Sequence, residues 1–344
     1  MLKEINSVDE ERKEEVVEEK IYESIQVVIP DNEDLINDMK IEILKREKYS
    51  NLQTTFANDS LFARAEDNEG PLFAISVDGS NNSAQGFELV TGEFLTEKSS
   101  LLVIHIFNTE MDHCYNYQNK KDTVLYNYAA RMIPHKAKAS FIVENRESKI
   151  HALEQVNSIV SNKGANFLVL GYRGIKGPKG CNRELSKGIS YALGYAVSPV
   201  IIVKEPSIRK KTQTGGFRWC FIMDKQYSNC VRAFQAFSEL VDPEKDFVFG
   251  YSLLPSYINF DLNKREFQNE INYRGIKNYE YFVEEYTKDP GKMALEKVNH
   301  YNPGFDFVCI YNNPKRHKDN PFTNENVEMI RICASNICFV NSMR

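Results

Sequence analysis

The sequence predicts an α/β chain built as two tandem, doubly wound units. Each is an open parallel sheet of five strands, in the expected order 3-2-1-4-5, with helices on both faces. Three observations carry this. From Pro71 onward, short apolar runs alternate with stretches of helical periodicity, as strands joined by crossover helices require. The runs LFAISV, LLVIHIF, FLVL and VIIV are nearly continuous, as in parallel strands covered on both sides. The same succession returns at a spacing of about 146 residues, judged from Asp78 and Asp224.

The elements follow in order. Residues 1–65 form a charged extension expected to be partly helical. Val17, Ile21 and Ile25 recur at i, i+4, and Leu35, Met39 and Ile43 mark a second helical face. The first unit spans 66–206. Its strands begin at Leu72, Leu101, Ser140, Phe167 and Val200. Its helix faces are marked by Phe87 and Val90, by Leu125, Tyr128 and Met132, by Leu153, Val156 and Val160, and by Ile189 and Leu193. Residues 207–214 are a basic linker. The second unit, 215–344, has strands at WCFIM, FVFGYSLL, NYEYFVEEY, FVCIY and ICFV. Helices are read at Phe234, Phe237 and Val241 and over KMALEKVNHY.

Composition narrows the function. The chain has 344 residues, 42% of them hydrophobic and 26% charged, with a net charge of −5. That balance gives no support to a nucleic-acid partner. No apolar run is long enough to span a membrane, and the charged N-terminus MLKEINSVDEERKEEVVEEK is not a secretory signal. The 7 Cys are scattered without a CxxC pair, and Cys309 and Cys338 read as small buried hydrophobes. A cytoplasmic location is expected.

Candidate chemistry concentrates at two places. The first strand runs into Val77-Asp78-Gly79-Ser80. The fourth runs into a loop punctuated by Gly171, Gly174, Gly177 and Gly180 and carrying Arg173, Lys176, Lys179 and Arg183. Ser186 and Lys187 then open a helix. A glycine loop feeding a helix N-terminus lets backbone amides approach an anion. In an open α/β sheet the ligand crevice lies where strand order reverses, here between the first and fourth strands. Asp78 on one wall and the loop on the other would suit a nucleotide. Each feature has a plainer reading: Asp78 as a turn residue or helix cap, the loop as a connection without a ligand. His105 reads as a packed core or crevice residue. Asp112, His113 and Cys114 lack the three or four partners a metal needs.

The pairing of ISVDGSNNS with LVLGYRGIKGPKG and SKGISYALGYAVSPVIIV resembles the universal stress protein family, within the adenine-nucleotide alpha-hydrolase-like superfamily. The motifs cover residues 66–206, and the pattern extends to 215–344, so the whole resembles a tandem member. The resemblance implies an adenine nucleotide, ATP or AMP, with or without Mg. Asp78 would contact the adenosine, Ile106 would line the adenine pocket, and Gly171, Arg173 and Gly174 would approach the phosphates. The Ser186–Lys187 region would supply the helix N-terminus. Ser186 and Lys187 stand where the family pattern has Gly and Ser or Thr, two residues later than its spacing. In the second unit Asp224 is followed by Lys225, and Tyr311-Asn312-Asn313-Pro314 replaces the glycines, leaving only the basic run Lys315, Arg316, His317 and Lys318. That unit is expected to pair with the first as a structural partner; a protein partner or homodimer is the further assembly to expect. The implied role is regulatory and non-catalytic. A slow ATPase or phosphotransferase and a ligand-free scaffold are the alternatives.

Overall fold

The computed structural model describes residues 25–29, 70–109, 121–135, 137–147, 149–174, 185–204, 207–208, 215–223, 232–255, 262–286, 290–312 and 324–341. Strand β1 (Ile25–Ile29) precedes the first unit. That unit comprises β2 (Leu72–Ser76), α1 (Asn81–Leu89), β3 (Ser100–Phe107), α2 (Lys121–Met132), β4 (Lys138–Asn145), α3 (Ala152–Asn162), β5 (Phe167–Gly171), α4 (Lys187–Tyr195) and β6 (Val200–Val203). The second comprises β7 (Arg218–Met223), α5 (Arg232–Phe237), β8 (Phe247–Pro255), α6 (Leu262–Arg274), β9 (Asn278–Tyr286), α7 (Pro290–His300), β10 (Phe307–Asn312), α8 (Asn324–Ile332) and β11 (Asn336–Asn341).

These strands form one sheet, ordered β1-β4-β3-β2-β5-β6-β11-β10-β7-β8-β9. Within each unit the pairing is parallel, and the first strand lies between the second and the fourth. Two separate sheets were expected; the structure fuses them. β6 pairs antiparallel with β11, placing Ile201 opposite Cys338. The reason is apolarity: Val200–Val203 and Ile337–Phe339 are fully buried. Such a strand left as an open edge would invite uncontrolled pairing. A second difference lies in the extension. Ile25, read as part of a helical stripe, sits on β1, which pairs antiparallel with β4. The helix α6, not anticipated, turns two bulky apolar residues inward among those whose side chains are described, Phe267 and Ile271.

Matching hydrogen bonds record the duplication. The Leu72 N–H donates to Asn166 Oδ1 at 2.8 Å, and Asn166 N–H donates back to Leu72 O. Arg218 and Asp306 repeat both bonds in the second unit. Ser198 Oγ–H donates to Ala165 O and Ser335 Oγ–H to Phe305 O, both at 2.7 Å.

The sheet separates two apolar layers, and both run through the junction. A short π-helical turn, Val90–Phe94, extends α1 and delivers Phe94 against Phe217, Trp219 and Phe307. Trp219 stacks on Phe307 at 4.3 Å, with its indole N–H donating to Asp246. Each such ring contributes roughly 1.5–3 kcal/mol by burial, so the units share one core. Cys309 and Cys338 lie side by side within it, fully buried.

Candidate functional site

The candidate crevice opens at the carboxyl ends of β2 and β5. β2 runs into Val77, whose N–H still bonds Ile104 O at 2.8 Å, and then leaves the sheet at Asp78. Asp78 Oδ1 accepts the Ser80 N–H at 3.0 Å, closing a local turn. Ser80 is the N-cap of α1, its Oγ accepting the Ser83 N–H at 3.2 Å. The plainer reading of Asp78 as a turn former therefore holds, and the residue does more. Its other carboxylate oxygen faces Gly174: a Cβ there would lie 2.6 Å from Asp78 Oδ2. The two sequence features thus meet across the strand-order reversal.

Gly171 and Gly174 have different jobs. A Cβ on Gly171 would lie 2.7 Å from both the Asn82 carbonyl carbon and the Ser83 nitrogen. Gly171 lets the first turn of α1 sit directly on the end of β5. Asn82 completes that contact, its Nδ2–H donating to Lys204 O at 3.1 Å.

The α4 end of the crevice is built from Leu185, Ser186 and Lys187. Ser186 is the N-cap of α4, its Oγ accepting the Ile189 N–H at 3.2 Å. One of the amides that could face an anion is therefore already occupied. Leu185, Tyr172 and Ile106 all pack half-buried against the same apolar layer, under α3 and α4. The structure thus places Ile106, Tyr172 and the start of α4 on one face of the sheet. Arg173 is exposed, its guanidinium 5.9 Å from the Tyr172 ring. Gly177, Gly180, Lys176, Lys179 and Arg183 lie outside the described residues, as do Asp224, Lys225, the basic run 315–318 and Asp112, His113 and Cys114.

Two residues not singled out as site candidates matter here. His105, read as a packed residue, is buried on β3. Its Nδ1–H donates to Val77 O at 2.7 Å, anchoring the carbonyl just before Asp78. Burial holds its pKa below the usual imidazole value, which favours the neutral ring, and its Nε2 has no partner among the described residues. Lys204 follows β6. Its ammonium lies 4.8 Å from the Tyr172 ring and donates to Cys333 O at the end of α8. Burial pushes its pKa down to about 8. Neither residue carries a sequence motif; only its place just past a strand end could have drawn attention to Lys204.

The second unit has the same position filled. By strand register Tyr311 stands where Gly171 stands, and Asn312 where Tyr172 stands. Asn312 is fully buried. Its Nδ2 donates to Leu193 O on α4 at 2.6 Å and to Asn341 Oδ1 at 2.7 Å, and its Oδ1 accepts from Asn326. Asn341 Nδ2 donates to Ala192 O and Ala196 O, both at 3.0 Å. The end of α4 is thus capped by the second unit, and the end of α8 by Lys204 of the first.

No family model matches the chain, and no curated protein matches it. Solved structures do. A universal stress protein from Archaeoglobus fulgidus superposes with a TM-score of 0.57 at 16% identity, covering 79% of this chain and 99% of its own. A functionally unknown protein from Pseudomonas aeruginosa PAO1 gives 0.54 at 10% identity, covering 83% and 95%. Either coverage exceeds what one unit could supply. The chain has the tandem α/β fold seen in universal stress proteins. Among the described residues no helix is long and apolar enough to cross a membrane.

Proposed function

We propose that the first unit binds an adenine nucleotide, ATP or AMP, in the crevice between β2 and β5. On this reading the chain is a regulator of the universal stress type and not a catalyst. One observation carries it: Gly174 backs directly onto the Asp78 carboxylate at the strand-order reversal, so the two features predicted to form the site adjoin there. A carboxylate there can accept hydrogen bonds from a ribose hydroxyl. Ile106 and Tyr172 offer an apolar wall for a base, while Arg173, Lys187 and the α4 N-terminus offer positive potential for phosphate.

The test is thermal stability with ATP·Mg and with AMP, for the wild type and Gly174→Asp. A ligand binding only the folded state adds about 2.7 kcal/mol at one hundred times its dissociation constant. A rise in wild-type Tm that disappears in Gly174→Asp is expected. A substitution at Gly171 would report on folding instead, because its Cβ would strike the α1 backbone. No rise with either nucleotide at millimolar concentration would overturn the proposal in favour of a ligand-free scaffold. Turnover of ATP above that of the Asp78→Ala variant would favour an enzyme.

A further inference from the structure

The two outer edges of the sheet differ. β1 covers β4, pairing antiparallel from Ile25 opposite Val143 to Ile29 opposite Ala139. By register along β3 and β8, the covered stretch Ala139–Val143 corresponds to Tyr279–Val283 on β9. Ala139 is 1% exposed and Val143 4%, whereas Tyr279 is 41% exposed and Val283 39%. Among the described residues nothing pairs with the outer edge of β9, which runs for 9 residues. A long open edge is a template for another strand.

Charge selects the occupant. β9 carries Glu280, Glu284 and Glu285 and neither Lys nor Arg. Glu280 accepts the Tyr301 hydroxyl at 3.1 Å and Glu284 the Tyr251 hydroxyl at 2.7 Å, which holds both carboxylates on one face of the strand. Phe282 lies between them, beneath Lys297 Nζ at 3.7 Å. A second β9, antiparallel about Phe282, would set Glu280 against Glu284, and like charges directly opposite destabilise a pair. The β1 segment of another copy is no better suited, flanked by EEVVEEK and by PDNED. We infer that the β9 edge takes an extended segment of a protein partner, antiparallel. That segment has Lys or Arg opposite Glu280 and Glu284, and β-branched residues opposite Tyr279, Tyr281 and Val283.

The test uses the full chain and a fluorescein-labelled peptide containing Lys-Ile-Thr-Val-Lys-Ile, with a mirror peptide carrying Glu for Lys. Anisotropy is titrated at low and high salt, and amide hydrogen exchange is followed with and without peptide. The expected result is saturable, salt-sensitive binding of the Lys peptide alone, with new protection on β9. Glu280→Gln/Glu284→Gln keeps an acceptor for each tyrosine hydroxyl and should weaken binding about three- to thirtyfold. The inference is overturned by no saturable binding, by equal binding of the Glu peptide, or by unchanged affinity in the double variant. It is equally overturned if the outward-pointing β9 amides, those not bonded to β8, are already protected in the chain alone, or become protected on dimerisation without peptide.

Discussion

The two units share a topology and differ at the matching crevice. The first keeps glycine at 171 and 174, so α1 and Asp78 close in on bare backbone. The second puts Tyr311 and Asn312 at the register positions of Gly171 and Tyr172 and turns Asn312 toward the junction. One copy has bare backbone at these positions, while the other uses the same place as a fastening. A duplicated fold can divide its labour this way because the sheet depends on the apolar strand runs, not on the residues just past their ends.

The difference can be attacked where it is largest. Gly171→Val should cost about 2–4 kcal/mol in urea denaturation, since a Cβ meets α1 backbone that cannot move aside. Next come the fasteners. Asn312→Ala strands buried groups on α4, Asn326 and Asn341, and should cost about 1–3 kcal/mol. Adding Asn341→Ala should cost less than the sum of the two single losses, because both side chains hold one helix end.

Lys204 occupies the position in the first unit that Asn341 occupies in the second, but it titrates. Its folded pKa of about 8 lies below the ordinary lysine value of 10.5. Between those values the unfolded chain holds the extra proton. Stability should therefore rise with pH from about 8 to 10.5, by at most about 1.4 kcal/mol per unit, and Lys204→Met should flatten that rise. His105 has a non-titrating counterpart by register, Ser252, bonded by Asn263. The folded His105 resists protonation, so stability should fall as pH drops below about 6.5. His105→Gln should make the fall shallower without abolishing it, because burial also lowers His135 and His151. The smallest effect is Tyr311→Phe. It removes a buried hydroxyl with no partner among the described residues and should be neutral or stabilising by up to about 1 kcal/mol.

The strands and most crossover helices were legible because parallel strands covered on both sides leave uninterrupted apolar runs such as Phe167–Leu170. β1 was not, since five residues pair with a strand more than a hundred positions away, and Ile25 also continues a helical spacing. α6 escaped because Phe267 and Ile271 are too few to mark a face. At the candidate site, Asp78 and Gly174 could be placed together from their strand ends. The packing role of Gly171 could not, because it depends on how closely α1 approaches. The helix-end carbonyls that Asn312, Asn341 and Lys204 bond lie 119 to 149 residues away, and nothing local to these residues announces a helix end.

α4 links the two units mechanically. Its 9 residues make a rod of about 13 Å. One end stands at the candidate opening behind Ser186, and the other is gripped by Asn312 and Asn341 of the other unit. Because β6 and β11 run in opposite directions, the strand ends of the two units point to opposite sides of the sheet. A force applied to the rod at one side is met by a clamp at the other. The unit without a glycine cradle thereby fixes the far end of the helix whose near end the first unit turns toward its candidate site.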